Sequence, residues 1–478
     1  MALALGCNNK NETRHIYIVS TNDMHATIDA MPQLATVVNE YEAKGEVILV
    51  DSGDRVTGNA YVDDATHPGL PIIELMNEVG YDVVTLGNHE FDKGHAVVKA
   101  MVEASDFEWV CCNMSDLKGE IAIEPYTTIT VEGVELCFAG VVDTDSGGRP
   151  LGGDSAYLNF SFTSDIDTAE ALATELPDAD LRVLLSHMGL EQDRALAERT
   201  QAYHWIAGGH SHDIANDSIG DTHISQNNKN LRYITIADIA VRGGEIEGIT
   251  YSQLKMEGIA ANERISAIVE ELKHSDPALN SAETIVTTAA TKEGVSNFTI
   301  ASLATYPYAE GFVPEITIYH YGGVRVDGFA EGDLRRVDIL NNDPFISTIY
   351  IGELTPAEIE AFILAKYNSG TPERPDKESH YPYFRSDLEY TIILGDEPTE
   401  KPNAIALQHN LSPRKYRVAM CNYIAENYID NTVVEASLRH TGITVREAML
   451  RYARSFGAEG YTPDNKCHQR EVRASELK

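Results

Sequence analysis

The sequence predicts an α/β fold for the first half of the chain and an α+β fold for the second, on three observations. Short apolar runs alternate with amphipathic stretches of helical period. The runs are unbroken instead of alternating apolar and polar, which suits strands covered on both faces. Nearly every run ends in Asp, Asn, Ser or His beside glycine, at the carboxyl edge where open α/β sheets place their ligands.

Taken in order, Ile16-Tyr17-Ile18-Val19 is an expected strand running into Asp23-Met24-His25. A helix is expected around Gln33–Glu42, and Val47-Ile48-Leu49-Val50 then runs into Asp51-Ser52-Gly53-Asp54. Ile72–Val79 has helical spacing, and Val83-Val84-Thr85-Leu86 delivers Gly87-Asn88-His89-Glu90-Phe91-Asp92. Val183-Leu184-Leu185 leads to Ser186-His187-Met188-Gly189, and Trp205-Ile206-Ala207 to Gly208-Gly209-His210-Ser211-His212. Thr127–Val142 and Ile224–Leu254 look like hairpins or meanders, which makes the sheets mixed. Ala261–Leu279, with Ile265, Ile268, Val269 and Leu272 on one face, is an expected connecting helix. Beyond it the pattern predicts a helix near Asn297–Tyr306, strands near Glu315–Tyr319 and Ile346–Ile351, and a helix over Thr355–Tyr367. An exposed loop over Ser369–Ser379 and a final helix over Thr444–Ser455 follow. The resulting division is a tether at 1–14, a first domain at 15–258, a connecting helix at 259–290 and a second domain at 291–478.

At 478 residues the chain exceeds what one hydrophobic core usually supports, which favours two domains. No apolar run approaches the roughly 18 residues of a membrane span, so no transmembrane helix is expected. A formal net charge of −37 argues against nucleic acid as a partner. It also means that an anionic substrate must be met by bound cations and local arginines. The six cysteines form no CxxC pattern, so neither a zinc knuckle nor a disulfide framework is indicated. Ala2-Leu3-Ala4-Leu5-Gly6-Cys7 followed by Asn8-Asn9-Lys10-Asn11 has the form of a lipoprotein signal end, although Ala4 stands where Leu is usual. A lipid anchor at Cys7, giving a periplasmic or cell-envelope location, and an incidental cysteine both remain open.

The five polar motifs together supply the donor set of a site for two divalent ions. Asp23 and His25, two apart, can hold one ion from a single loop. Asp54 follows a glycine that allows a tight turn, and its carboxylate can bridge both ions. Asn88 adds a neutral amide oxygen, His187 and His210 complete the second ion, and His212 the first. Asp92, within a turn of His89, can fix that imidazole in one tautomer. Each piece alone has an ordinary explanation: Asp-x-His as a surface turn, Gly-Asp as a turn or helix cap, a lone histidine as a hydrogen-bonded structural residue. The joint order, each motif at a strand end, is what those explanations do not supply. Hydrolysis of a phosphate ester by a metal-activated hydroxide is the chemistry expected of such a site.

These motifs resemble the calcineurin-like metallophosphoesterases, and Gly87-Asn88-His89-Glu90-Phe91-Asp92 is similar to the 5′-nucleotidase and UDP-sugar hydrolase branch. The resemblance covers about Ile16–Tyr251 and resumes at Gly322-Gly323-Val324-Arg325, Gly332 and Pro344-Phe345. It implies a four-layer αββα sandwich followed by a smaller α+β domain. By the same resemblance Asp23, His25, Asp54 and His212 bind one ion, while Asp54, Asn88, His187 and His210 bind the other. His89 then contacts the phosphoryl oxygen, oriented by Asp92, and a metal-bridging hydroxide attacks in line. Mn, Zn, Fe and Co all suit the donors.

In the second domain the resemblance implies that Arg325, beside Gly323, grips the substrate phosphate and that Phe345 stacks on a nucleobase. A core aromatic after a turn proline is the other reading of Phe345. His320 stands where the family has Asn, and Lys292 where it has a second Arg. Asn422-Tyr423-Ile424-Ala425-Glu426-Asn427-Tyr428 replaces its glycine-rich aromatic segment, with Tyr428 as a substitute second ring. The expected activity is 5′-nucleotidase-like phosphate release from a small-molecule phosphoester, with closure about the connecting helix. A non-nucleotide phosphatase or cyclic phosphodiesterase, and a metal-retaining surface binding protein, are the alternatives.

Overall fold

A computed structural model describes residues 12–144, 147–152, 154–369, 384–396 and 403–477. Cys7 and almost all of the loop expected over Ser369–Ser379 lie outside the described residues. The chain divides into two compact units, Met1–Ser275 and Asp276–Lys478.

The first unit contains two six-stranded mixed sheets. In one, Arg14–Thr21 pairs in parallel with Glu46–Asp51 and antiparallel with Tyr233–Arg242, and parallel Val83–Val84 and Glu108–Trp109 continue the sheet. In the other, Val134–Val142, Leu181–His187, Trp205–Gly208 and Thr222–Asn227 run parallel, with Tyr126–Val131 and Ile214–Ile219 added antiparallel at the two edges. The sheets face each other through Ile16, Ile18, Ile48 and Val50 on one side and Phe138, Val183, Leu185 and Trp205 on the other. Ala139, Leu184 and Ile206, pointing the opposite way, pack against Ala169, Leu172, Leu196 and Ala197 of helices Asp165–Ala173 and Leu190–Arg199. Helices Met31–Glu42, Leu70–Val79 and Glu263–His274 cluster on the outside of the first sheet. Strands buried on both faces need apolar residues at every position, which is why the pattern is a run.

The expected connector differs in the structure. Its helix ends at His274, belongs to the first unit, and is fastened there by Arg264 to Glu78 and by Lys273 to Asp29. Farther along the interval 259–290, Ala282–Val286 is a strand that pairs with Gly332–Arg335. The amphipathic face was real, but its target was the neighbouring helices of its own unit.

The second unit is α+β. A five-stranded sheet runs Phe384–Ser386, Ile316–His320, Tyr416–Cys421, Thr348–Leu354, Leu438–Thr444. A three-stranded sheet is built from Ala404–His409, Tyr390–Leu394 and Gln469–Arg473. Helix Lys292–Thr305 is capped by Thr291 and Val445–Ser455 by Thr444, each side chain accepting a first-turn N–H. Among the described residues no helix is long and apolar enough to cross a membrane.

Candidate metal centre

The centre lies at the carboxyl ends of the parallel strands, in loops that zip to one another through the backbone. The N–H groups of Asp23, His25 and Ala26 donate to the carbonyls of Gly53, Asp54 and Arg55 at 2.9, 2.9 and 2.8 Å. Asp23 and His25 are thereby held in register with Asp54. Five of the predicted ligands adopt positive φ: Asp23 at 48°, His25 at 46°, Asp54 at 56°, His210 at 75° and His212 at 55°. Non-glycine residues pay about 1 kcal/mol or more for this conformation, and such strain gathers at functional sites.

Donor atoms of Asp23, His25 and His212 lie within 4.8 Å of one another, as do those of Asp54, His187 and His210. Nε2 of His25 is 3.0 Å from Nε2 of His212, which is 3.4 Å from Oδ1 of Asp23. Nδ1 of His210 is 3.0 Å from Oδ1 of Asn88. His89 stands between the groups, its Nε2 3.9 Å from Oδ2 of Asp54, and it forms a third cluster with His25 and Asp54. Its Nδ1 donates to Oδ2 of Asp92 at 2.7 Å, and the Thr57 hydroxyl donates to the same oxygen at 2.7 Å.

Three features fit two cations. His187 Nδ1 donates to the Ser52 carbonyl at 2.6 Å, which turns Nε2 inward. That buried Nε2 lies 3.1 Å from Oδ2 of Asp54 without hydrogen-bond geometry, as two ligands aimed at a common point do. The glycines leave room for that convergence: a Cβ on Gly209 would meet His187 Nδ1 at 2.9 Å and Asp23 Oδ2 at 3.1 Å.

Burial alone would raise the Asp23 carboxyl, but His212 and His187 hold it down at about 2. Asp54, likewise buried, is held well below the usual carboxylate range by His187 and His89. Burial lowers His25 well below its ordinary value, reinforced by His212, and lowers His210 to about 4, reinforced by His187. For His187 and His89 burial is outweighed by carboxylates, Asp54 first in each case, and both are pushed up to about 10. A cation arriving at Asp54 therefore competes with a proton on His187.

Sequence reasoning overlooked the residues that brace these loops. Asn22 donates to Oδ2 of Asp23 at 2.7 Å and to the Asn228 carbonyl at 2.8 Å. Asp63 accepts the N–H groups of Thr57, Gly58 and Asn59 at 2.8, 2.7 and 2.9 Å. Glu90, within the Gly87–Asp92 motif, is almost fully buried. A charged residue inside an otherwise ligand-bearing turn, followed by core Phe91, was the available signal.

In the second unit, Arg325 lies over the Phe345 ring at 5.4 Å. Phe345 is 46 % exposed, so it is not a core aromatic. Gly323 has a packing reason, since a Cβ there would sit 2.6 Å from the His320 ring. His320 stacks on Tyr423 at 4.2 Å, and burial, then Lys366 and Arg325, push it down to about 3. The segment replacing the family's glycine loop is a helix, Asn422–Tyr428. Lys366 donates to the Tyr428 hydroxyl at 3.2 Å, and that hydroxyl lies 3.1 Å from that of Tyr423. Lys292 lies over Tyr321 at 5.4 Å.

The strained loop cluster of carboxylates and imidazoles at the edge of the double-sheet sandwich is a candidate site for two metal ions. The calcineurin-like phosphoesterase family matches residues 16–213, and the 5′-nucleotidase C-terminal domain family matches residues 277–434. The chain is a calcineurin-like metallophosphoesterase fused to a 5′-nucleotidase C-terminal domain. It is 26 % identical over 471 residues to the trifunctional nucleotide phosphoesterase protein YfkN of Bacillus subtilis (strain 168), covering 85 % of this chain and 31 % of that protein. It thus spans about a third of that relative's length. The 5′-nucleotidase of Vibrio vulnificus (strain CMCP6) is 24 % identical over 418 residues, covering 73 % of this chain and 74 % of the other. The crystal structure of a 5′-nucleotidase precursor from Thermus thermophilus superposes with a TM-score of 0.73 at 18 % identity, covering 96 % of this chain and 99 % of that one.

Proposed function

We propose that this phosphoesterase is a 5′-nucleotidase-like enzyme that releases phosphate from nucleotides or related esters. The observation that carries the proposal is the His89–Asp92 pair set between two clusters of metal donors. Asp23, His25, Asp54 and His212 would hold one divalent ion, and Asp54, Asn88, His187 and His210 the other. When bound, the ions supply Lewis-acid stabilisation of phosphoryl charge and acidify water. His89, its Nδ1–H fixed on Asp92, presents Nε2–H to a phosphoryl oxygen, and this donor strengthens its bond as charge builds there. Thr57 holds Asp92 in place. In the second unit Arg325 would offer a forked guanidinium to an anionic group, and Phe345 a half-exposed ring to a planar one.

The helix Asn422–Tyr428 favours a second reading, a phosphatase or cyclic phosphodiesterase acting on a non-nucleotide ester. Tyr428 is already engaged by Lys366 and Tyr423, which weakens its case as a second stacking ring. A panel of 5′-nucleotides, UDP-sugars, cyclic nucleotides and aryl phosphates with Mn²⁺ separates the two. Hydrolysis of none of them, read as free phosphate or as the cleaved or ring-opened monoester, or hydrolysis insensitive to chelator, would sink both. Lipidation at Cys7 with an envelope location belongs to the same proposal, resting on Ala2–Cys7. Mass spectrometry of the purified N-terminus tests it.

A further inference from the structure

We infer that Glu90 is a positioning residue for the metal centre: its carboxylate clamps the loops of Asp54 and Asn88 together and sets the spacing of their ligands. The inference rests on the phosphoesterase reading for the presence of the ions. Glu90 is 1 % exposed. Its Oε2 accepts the N–H of Asp54 at 3.0 Å and that of Gly87 at 2.5 Å, and its Oε1 accepts the N–H of Arg55 at 2.9 Å. Arg55 Nε lies 4.0 Å from Oε1, and that guanidinium is itself fixed by Asp51 at 3.0 Å and by the Trp109 ring at 4.3 Å.

All three N–H donors belong to the two ligand-bearing turns. A carboxylate buried this deeply is costly unless hydrogen-bonded, so the turns must converge on it. Convergence keeps Asp54 at its positive φ and brings Oδ1 of Asp54 within 2.9 Å of the His89 N–H. Asp54 is thus held from both ends, by its own N–H on Glu90 and by its side chain on His89. A general fold staple would tie the turns to the core instead of to each other.

Glu90→Gln keeps shape and size but places an amide NH₂ against one of the N–H donors. Titration of metal-free protein with Mn²⁺, read by calorimetry, should show the ion at Asp54, Asn88, His187 and His210 weakened about 10–100-fold. The ion at Asp23, His25, Asp54 and His212, which draws only Asp54 from the clamped turns, should weaken severalfold less, with the melting temperature of metal-free protein close to wild type. Glu90→Asp retains the charge but falls short by one methylene, and should lie between the two. Unchanged binding of both ions in Glu90→Gln overturns the inference, as does equal weakening of both alongside a lower melting temperature of the metal-free protein. A wild-type chain that takes up no divalent ion overturns the phosphoesterase reading as well.

Discussion

Replacing Gly87 with alanine is expected to disable the centre by displacing one carboxylate. Gly87 is not among the positive-φ residues, so alanine can adopt its backbone conformation without strain. The obstacle is contact: the added Cβ would lie 2.2 Å from Oδ1 and 2.5 Å from the backbone nitrogen of Asp54. That is about 1 Å inside ordinary van der Waals range, and Asp54 is tethered by Glu90 and His89, so it cannot yield cheaply. A displacement near 1 Å at a ligand shared by both ions should lower turnover by about 10²-fold. Overpacking should cost about 1–3 kcal/mol of stability. Gly80→Ala is the control. Its φ of 91° makes alanine strained, but nothing lies within 4 Å of the new Cβ. It should lose about 1 kcal/mol with metal content and turnover unchanged. Phosphate release and metal content by mass spectrometry, with denaturant melts, check both. Gly87→Ala with turnover within threefold of wild type and two ions bound would refute the steric argument.

His89→Asn should lower turnover by about 10²–10⁴-fold while leaving two ions bound, and loss of both ions would make His89 a ligand instead. Arg325→Ala should raise KM about tenfold or more, the cost of a charge-assisted hydrogen bond, with metal content intact; an unchanged KM across the substrate panel removes Arg325 from the site. Asp193 is fully buried, and burial pushes its carboxyl up to about 7 against the opposing Ser186 hydroxyl. Its folded value exceeds the unfolded one, so its contribution is complete below about pH 4 and is lost as pH rises through about 7, on the order of 4 kcal/mol at most. Asp193→Asn should flatten that fall in stability between about pH 4 and 7, and identical pH profiles for the two proteins would show that the carboxylate is already ionised.

Local regularities carried much of this structure into the sequence. Runs such as Val183–Leu185 suit strands covered on both faces, and a polar residue directly after such a strand is already at the sheet's carboxyl edge. Helix Val445–Ser455 announced itself by the spacing of Val445, Ala448 and Met449, while Thr444, expected as its first residue, caps it. The connector misled because an amphipathic face states that a partner exists and not which one; Glu263–His274 found it on helices of its own unit. Likewise Asn422–Tyr428 was legible only as a departure from a glycine loop, while its helix, and the engagement of Tyr428 by Lys366, depend on residues distant in the chain.

Fold class and donor set were therefore legible in the sequence alone, because the donor types, their order and their place after apolar runs are local properties. Tertiary structure decided how those donors are held. The zipping of residues 23–26 to 53–55, the positive φ of five predicted ligands and the hydrogen bonds converging on Glu90 arise from contacts between separate loops. Such contacts depend on the three-dimensional meeting of strand ends, which no single stretch of sequence encodes.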